Sequence, residues 1–105
     1  MIVEPGPFRT NWAGPSIKQS ATRIADYAAT AGERRKQTEA RSGSQAGDPV
    51  RAAQAIIDAS MDASPPLRLL LGKMALELAR KKLATMKTDF DSWEALTLGA
   101  DFPET

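Results

Sequence analysis

The sequence predicts an α/β protein in which two parallel strands form one edge of a larger sheet and helices supply most of the remainder. Three observations predict it. The pair Ile2-Val3 is stopped by Pro5-Gly6-Pro7. The run Leu67-Arg68-Leu69-Leu70-Leu71 lies between Pro65-Pro66 and Gly72. Between them, a helical apolar pattern starts at Asp48-Pro49. β-Branched residues favour strands, and Pro and Gly end them. A short apolar run bounded in this way reads as a buried strand. Strands joined through a helix are parallel neighbours, because parallel pairing needs a long crossover. Parallel strands are covered on both faces, and two strands do not make such a sheet alone. The remaining strands are expected elsewhere.

The elements follow in order. After the first turn, Gly14-Pro15 makes a second break and Ser16 is placed to cap a helix. Ile17, Ala21, Ile24, Ala28 and Ala31 share one helical face, with Tyr27 beside it. The spacing predicts a helix from Ser16, interrupted at Gly32. Residues 33–41 are polar apart from Ala40 and read as a solvated helix or a loose excursion. Ser42 to Gly47 is a loop of small and polar residues. Asp48 then accepts backbone N–H groups as an N-cap, and Pro49 sits where no donor is needed. Val50, Ala53, Ile56 and Ile57 carry the apolar face to Ser60 or Met61. Ser64-Pro65-Pro66 blocks the helix, and Leu67 to Leu71 is the second strand. Beyond Gly72 a helix fits from Lys73 to about Lys87, with Ala75, Ala79, Leu83 and Met86 on one face. Asp89 is read as the cap of a further helical piece carrying Phe90, Trp93 and Leu96. The tail from Gly99 is expected to be irregular.

Composition removes several function classes. The 105 residues suit one domain. Fourteen basic and 13 acidic residues give a net charge of +1, so no basic face marks a nucleic-acid partner. Arg34-Arg35-Lys36 and Arg80-Lys81-Lys82 read as solvated helix faces. The chain has no cysteine and no histidine. Disulfides, thiolate zinc sites and Ser-His-Asp systems are therefore excluded. Asp89, Asp91 and Glu94 fit a polar helix start rather than a metal or hydrolase site, so no metal is expected. No apolar run approaches the ~20 residues of a membrane helix, and no signal-peptide pattern opens the chain. A cytoplasmic protein without a membrane partner is the expectation.

Three stretches carry a family likeness. "VEPGPFRTNW", "GDPVRAAQAI" and "PPLRLLLG", in this order and spacing, resemble the C-terminal portion of the short-chain dehydrogenase/reductase family. The likeness covers essentially the whole chain and is least distinctive over residues 33–41 and the last few. It implies the C-terminal part of a Rossmann-like doubly wound parallel sheet, a single partial domain. Residues 1–10 would be a strand and the nicotinamide-side Pro-Gly loop. Residues 11–47 would be a helical substrate-binding excursion. Residues 48–105 would be a helix, the last strand and the C-terminal helices. By this resemblance Pro5 and Gly6 turn beneath the nicotinamide of NAD or NADP, and the Phe8 backbone and the Thr10 hydroxyl hold its carboxamide. Ligands of open α/β sheets bind outside the carboxyl ends of strands, and an amide plus a hydroxyl can orient a carboxamide. The competing reading of Thr10 is a local backbone cap. Trp12 and Tyr27 are the candidate substrate contacts, while Ile17 and Ile24 are read as packing. The last strand and the helix after Lys73 commonly form a subunit interface in the family.

The chain also departs from the family pattern. Its seven glycines nowhere form the Gly-rich turn that meets a pyrophosphate. The family's Tyr and Lys stand four residues apart, but four residues after Tyr27, the single tyrosine, stands Ala31. The family's active-site Ser and Asn lie upstream of the Pro-Gly motif. No catalytic residue is assigned here. The reading is a C-terminal segment of an NAD(P)-dependent oxidoreductase, with alcohol–ketone hydride transfer belonging to the intact enzyme and this chain alone expected to be inactive. Its partner would be the N-terminal part of the same fold or a second copy in a homo-oligomer. The alternative is a non-catalytic helical interaction or oligomerisation module, since unpaired strand edges and half-covered apolar faces invite partners.

Overall fold

Two short strands set the frame of the computed structural model, which describes residues 1–104. β1 (Ile2–Pro5) and β2 (Arg68–Leu71) pair in parallel, from Ile2 opposite Arg68 to Pro5 opposite Leu71. Hydrogen bonds continue the ladder at both ends. The Ile2 N–H donates to the Leu67 carbonyl at 2.7 Å, and the Gly6 N–H to the Leu71 carbonyl at 2.8 Å. The two parallel strands and the largely helical remainder are as the sequence predicts. Among the described residues the sheet has only these two strands.

Side chains alternate between the faces of a strand. Val3, Pro5 and Leu71 look toward the helix α2 (Pro49–Met61) and share a cavity with its Ala52, Ala53 and Ile56. Glu4 and Arg68 lie on the opposite face. The Arg68 guanidinium donates to the Glu4 carboxylate through both Nε and Nη2. This bidentate bond holds the Glu4 carboxyl below the usual carboxylate range and raises Arg68. Water reaches both side chains, so the pair contributes more to strand register than to stability.

α2 starts as its sequence dictates. Asp48 is extended, and its carboxylate accepts from the N–H groups of Val50 at 2.9 Å and Arg51 at 3.3 Å. Pro49 occupies the first turn.

The helix expected from Ser16 does not form. Residues 17–24 carry no regular helix, and helical structure begins at Ala25. The Ser16 and Ile17 N–H groups are taken by the carbonyls of Asn11 and Gly14. The Ser20 hydroxyl donates to the Thr22 carbonyl, and Arg23 donates to that of Ser20. Side chains thus satisfy backbone that a helix would otherwise pair. A 3₁₀ turn (Ala25–Tyr27) and a π turn (Ala28–Gly32) lead into α1 (Glu33–Ala40). Gly32 does not interrupt: its φ of −63° and ψ of −48° are helical. The polar run is therefore the solvated helix, tied to the excursion by a bond from Gln19 Nε2 to Glu39 Oε1 at 2.6 Å.

α3 (Lys73–Ser92) is also longer than expected, and Asp89 lies inside it rather than capping a new piece. No Gly or Pro stands between Lys73 and Ser92. The hydroxyls of Thr85, Thr88 and Ser92 fold back onto carbonyls one turn earlier. Lys87 and Asp91 pair across one turn. The break comes at Trp93, with φ −111° and ψ 8°, and α4 (Glu94–Leu98) follows. From Gly99 to Glu104 the chain is irregular, while Thr105 lies outside the described residues.

The core is slight. Among the described residues only Ala13 and Leu71 are buried apolar side chains, at 5% and 8% exposure. The radius of gyration is 20.5 Å, where a compact chain of this length has about 13 Å. The accessible surface is 9159 Å². A compact protein of this mass exposes about 5,700 Å², so roughly 3,400 Å² more is open than a compact fold leaves. This is the surface expected of one part of a larger α/β fold.

Candidate functional site

The loop after β1 is held by the chain that precedes α2. The Gly47 N–H donates to the Pro7 carbonyl at 3.1 Å, and the Arg9 N–H to the Gly47 carbonyl at 2.9 Å. The Arg9 guanidinium adds two bonds to the Gln45 carbonyl, at 3.1 and 3.0 Å. Gly47 is required sterically. A Cβ there would stand 2.6 Å from the Phe8 ring carbons Cγ and Cδ1, and 2.6 Å from the Pro7 carbonyl oxygen. Gly72 flanks the same ring on the side of Cε2 and Cζ. Phe8 is thus anchored by its ring between two glycines, which leaves its backbone at a fixed place. Gly6 lies against the first turn of α3, near Met74 and Ala75.

A cavity of about 630 Å³ opens at this loop. Pro5 and Leu71, the last residues of β1 and β2, both line it, and it extends from the carboxyl ends of the strands along the sheet face to Val3 and to Ala52, Ala53 and Ile56 of α2. Gly6, Phe8, Thr10 and Trp12 form the loop side. Trp12 is 64% exposed. Five of the six residues singled out from sequence therefore come together. Tyr27 does not join them: it lines a separate cavity of about 510 Å³ with Ile24, Ala28, Arg23 and Arg35.

Polar groups at the loop are few. Thr10 Oγ1 accepts from the Trp12 N–H at 3.3 Å and caps the 3₁₀ turn Asn11–Ala13. A hydroxyl has one donor and two acceptor sites, so this cap leaves the Thr10 O–H available. The Phe8 carbonyl accepts from the Thr10 N–H at 3.0 Å. The Phe8 N–H has no protein acceptor among the described residues. One backbone donor and one hydroxyl donor remain at the same cavity, a set that fits a planar primary amide with its carbonyl oxygen toward them.

Arg41, Thr38 and Gln45 line the cavity and were not singled out from sequence. Residues 33–41 have no apolar stripe, so nothing in their pattern shows which side faces inward. Among the described residues Arg41 is the only ionisable side chain on the cavity wall, and an arginine does not release its proton. The wall offers, among the described residues, apolar surface, hydrogen-bonding groups and one fixed positive charge, and no carboxylate, lysine or tyrosine. Among the described residues no group of acidic side chains is placed to hold a metal, and no helix is long and apolar enough to cross a membrane.

Comparison with known proteins returns an oxidoreductase and a short-chain dehydrogenase. Oxidoreductase BOA17 from Botryotinia fuckeliana (strain B05.10) is 34% identical over 99 residues, which cover 94% of this chain and 36% of that protein. A short-chain dehydrogenase from Streptomyces avermitilis superposes with a TM-score of 0.71 at 34% identity, covering 97% of this chain and 36% of that one. The chain therefore spans little more than a third of the length of either. No family model matches the sequence.

Proposed function

We propose, on the premise that this chain is the C-terminal portion of a short-chain dehydrogenase/reductase, that it forms the nicotinamide side and substrate lid of an NAD(P)-dependent oxidoreductase. The observation that carries the reading is the shared cavity of Pro5, Gly6, Phe8, Thr10 and Trp12, which reaches the carboxyl ends of the strands, the place where open α/β sheets take their ligands. When bound, the dinucleotide supplies hydride transfer between an alcohol and a ketone. The residues of this chain position it. The Phe8 N–H and the Thr10 O–H would hold its carboxamide. Trp12 forms a wall on the substrate side. The proton-transfer groups belong to the rest of the enzyme, as does the choice between NAD and NADP.

Thr10 tests this reading. In the intact protein, Thr10→Val removes the hydroxyl and is expected to weaken NADH or NADPH binding about 3- to 10-fold, the worth of one neutral hydrogen bond. Thr10→Ser keeps the hydroxyl and is expected to bind as the parent does. Titrations by nicotinamide fluorescence read both. Equal affinity for all three proteins would count against a carboxamide contact at Thr10.

The second reading, a non-catalytic interaction module, is favoured by the outer face of α3 and α4. Leu83, Phe90 and Trp93 are each more than 60% exposed there; Leu83 and Phe90 share one face of α3, two turns apart, and Trp93 stands at the break before α4. An assembly role needs these side chains and is indifferent to the Thr10 hydroxyl, so the same variants separate the two.

A further inference from the structure

We infer that Arg41 is the anion-binding residue of the substrate pocket, and that the substrate joins an apolar body to a carboxylate. The inference rests on the oxidoreductase reading for the word substrate, though the binding chemistry stands on the cavity alone.

Arg41 sits at the end of α1, on the wall of the cavity that holds Thr10 and Trp12. Its backbone is pinned on both sides. Its N–H donates to the Gln37 carbonyl at 3.2 Å, and its carbonyl accepts from the N–H and the hydroxyl of Ser44, each at 3.0 Å. Gln45 Oε1 closes the same turn by accepting from the Gly43 N–H at 2.8 Å. The Arg9 guanidinium then clamps the Gln45 carbonyl to the Pro-Gly loop. Arg41 is therefore held in fixed relation to the strand ends.

Among the described residues the Arg41 guanidinium makes no ion pair and no side-chain hydrogen bond, and no carboxylate lines the cavity. Three of the acids have partners of their own. Glu39 takes Gln19, Asp48 caps α2 and meets Arg51, and Glu4 takes Arg68. The rest of the wall is mostly apolar, with Trp12, Ala53, Ile56 and Leu71 prominent. A guanidinium offers five donors in a rigid fork that matches a carboxylate with two parallel bonds. An apolar cavity bearing one such fork selects a molecule with a hydrophobic body and one planar anion.

The test uses two probes of one shape, 2-naphthaleneacetate and 2-naphthaleneacetamide, titrated calorimetrically into the intact cofactor-free protein. The acid is expected to bind at least 10-fold more tightly than the amide. Arg41→Gln is expected to bring the two within about twofold by weakening the acid alone, and Arg41→Lys to keep part of the preference. Equal binding of acid and amide by the parent overturns the inference. So does an Arg41→Gln variant that weakens both probes alike, which marks Arg41 as structural, or one that weakens NADPH and leaves the acid unchanged, which marks it as a cofactor-phosphate contact. A parallel NADH and NADPH titration separates this inference from the reading beneath it. Acid preference without dinucleotide binding retains the anion site and removes the oxidoreductase role; dinucleotide binding without acid preference does the reverse.

Discussion

Replacing Gly47 with alanine is expected to destabilise the protein by about 1–3 kcal/mol, the usual cost of forcing extra volume into a filled site, and to weaken dinucleotide binding with it. The added Cβ would meet the Phe8 ring and the Pro7 carbonyl oxygen at 2.6 Å. The ring could turn, but the carbonyl belongs to the backbone that bonds Gly47 itself. Relief therefore breaks the bridge between the Pro-Gly loop and the chain before α2, and moves the Phe8 N–H. Urea unfolding of the intact protein reads the first effect and nicotinamide fluorescence the second. A change within 0.5 kcal/mol, the range of an ordinary surface substitution, would mean that Phe8 does not sit where this account places it.

Gly72→Ala is expected to cost a similar 1–3 kcal/mol for a different reason, because residues with a side chain rarely adopt such a backbone. Gly72 has φ +91° and ψ 154°, a region open almost only to glycine. Space is not the obstacle, since a Cβ there would stand 3.8 Å from the Phe8 ring. The loss should fall on the join of β2 to α3. Gly32 supplies the contrast within the same experiment: its backbone is helical and a Cβ would meet only ordinary contacts, so Gly32→Ala should stabilise by about 0.4–1 kcal/mol. If Gly72→Ala and Gly32→Ala shift the urea midpoint in the same direction, the dihedral argument fails.

Legibility in the sequence followed the range of the interactions. β1, β2 and α2 were readable because each is specified locally, by Pro and Gly at the strand ends and by Asp48-Pro49 at the helix start. The helix expected from Ser16 had the right period, but Ser20 and Arg23 bond the local backbone and delay it to Ala25. Asp89 was chemically suited to a cap, yet nothing before Trp93 stops α3. That Pro5, Gly6, Phe8, Thr10 and Trp12 line one cavity was legible because they are close in sequence. Arg41 was not, since its place depends on Arg9 and Gln45 joining segments 36 residues apart. The ring-anchoring role of Phe8 was likewise hidden, because Gly47 and Gly72 meet it only in the folded chain.

The central claim is that the Pro-Gly loop is a nicotinamide-binding surface within a larger reductase. Amide hydrogen exchange across residues 2–14, measured on the protein as its source cells make it, tests that claim directly. Saturating NADH or NADPH is expected to slow exchange at the Phe8 N–H, which has no protein acceptor of its own among the described residues, and at the amides of the following turn. Exchange unchanged by either dinucleotide across this segment would contradict the account and turn attention to the exposed face of α3 and α4.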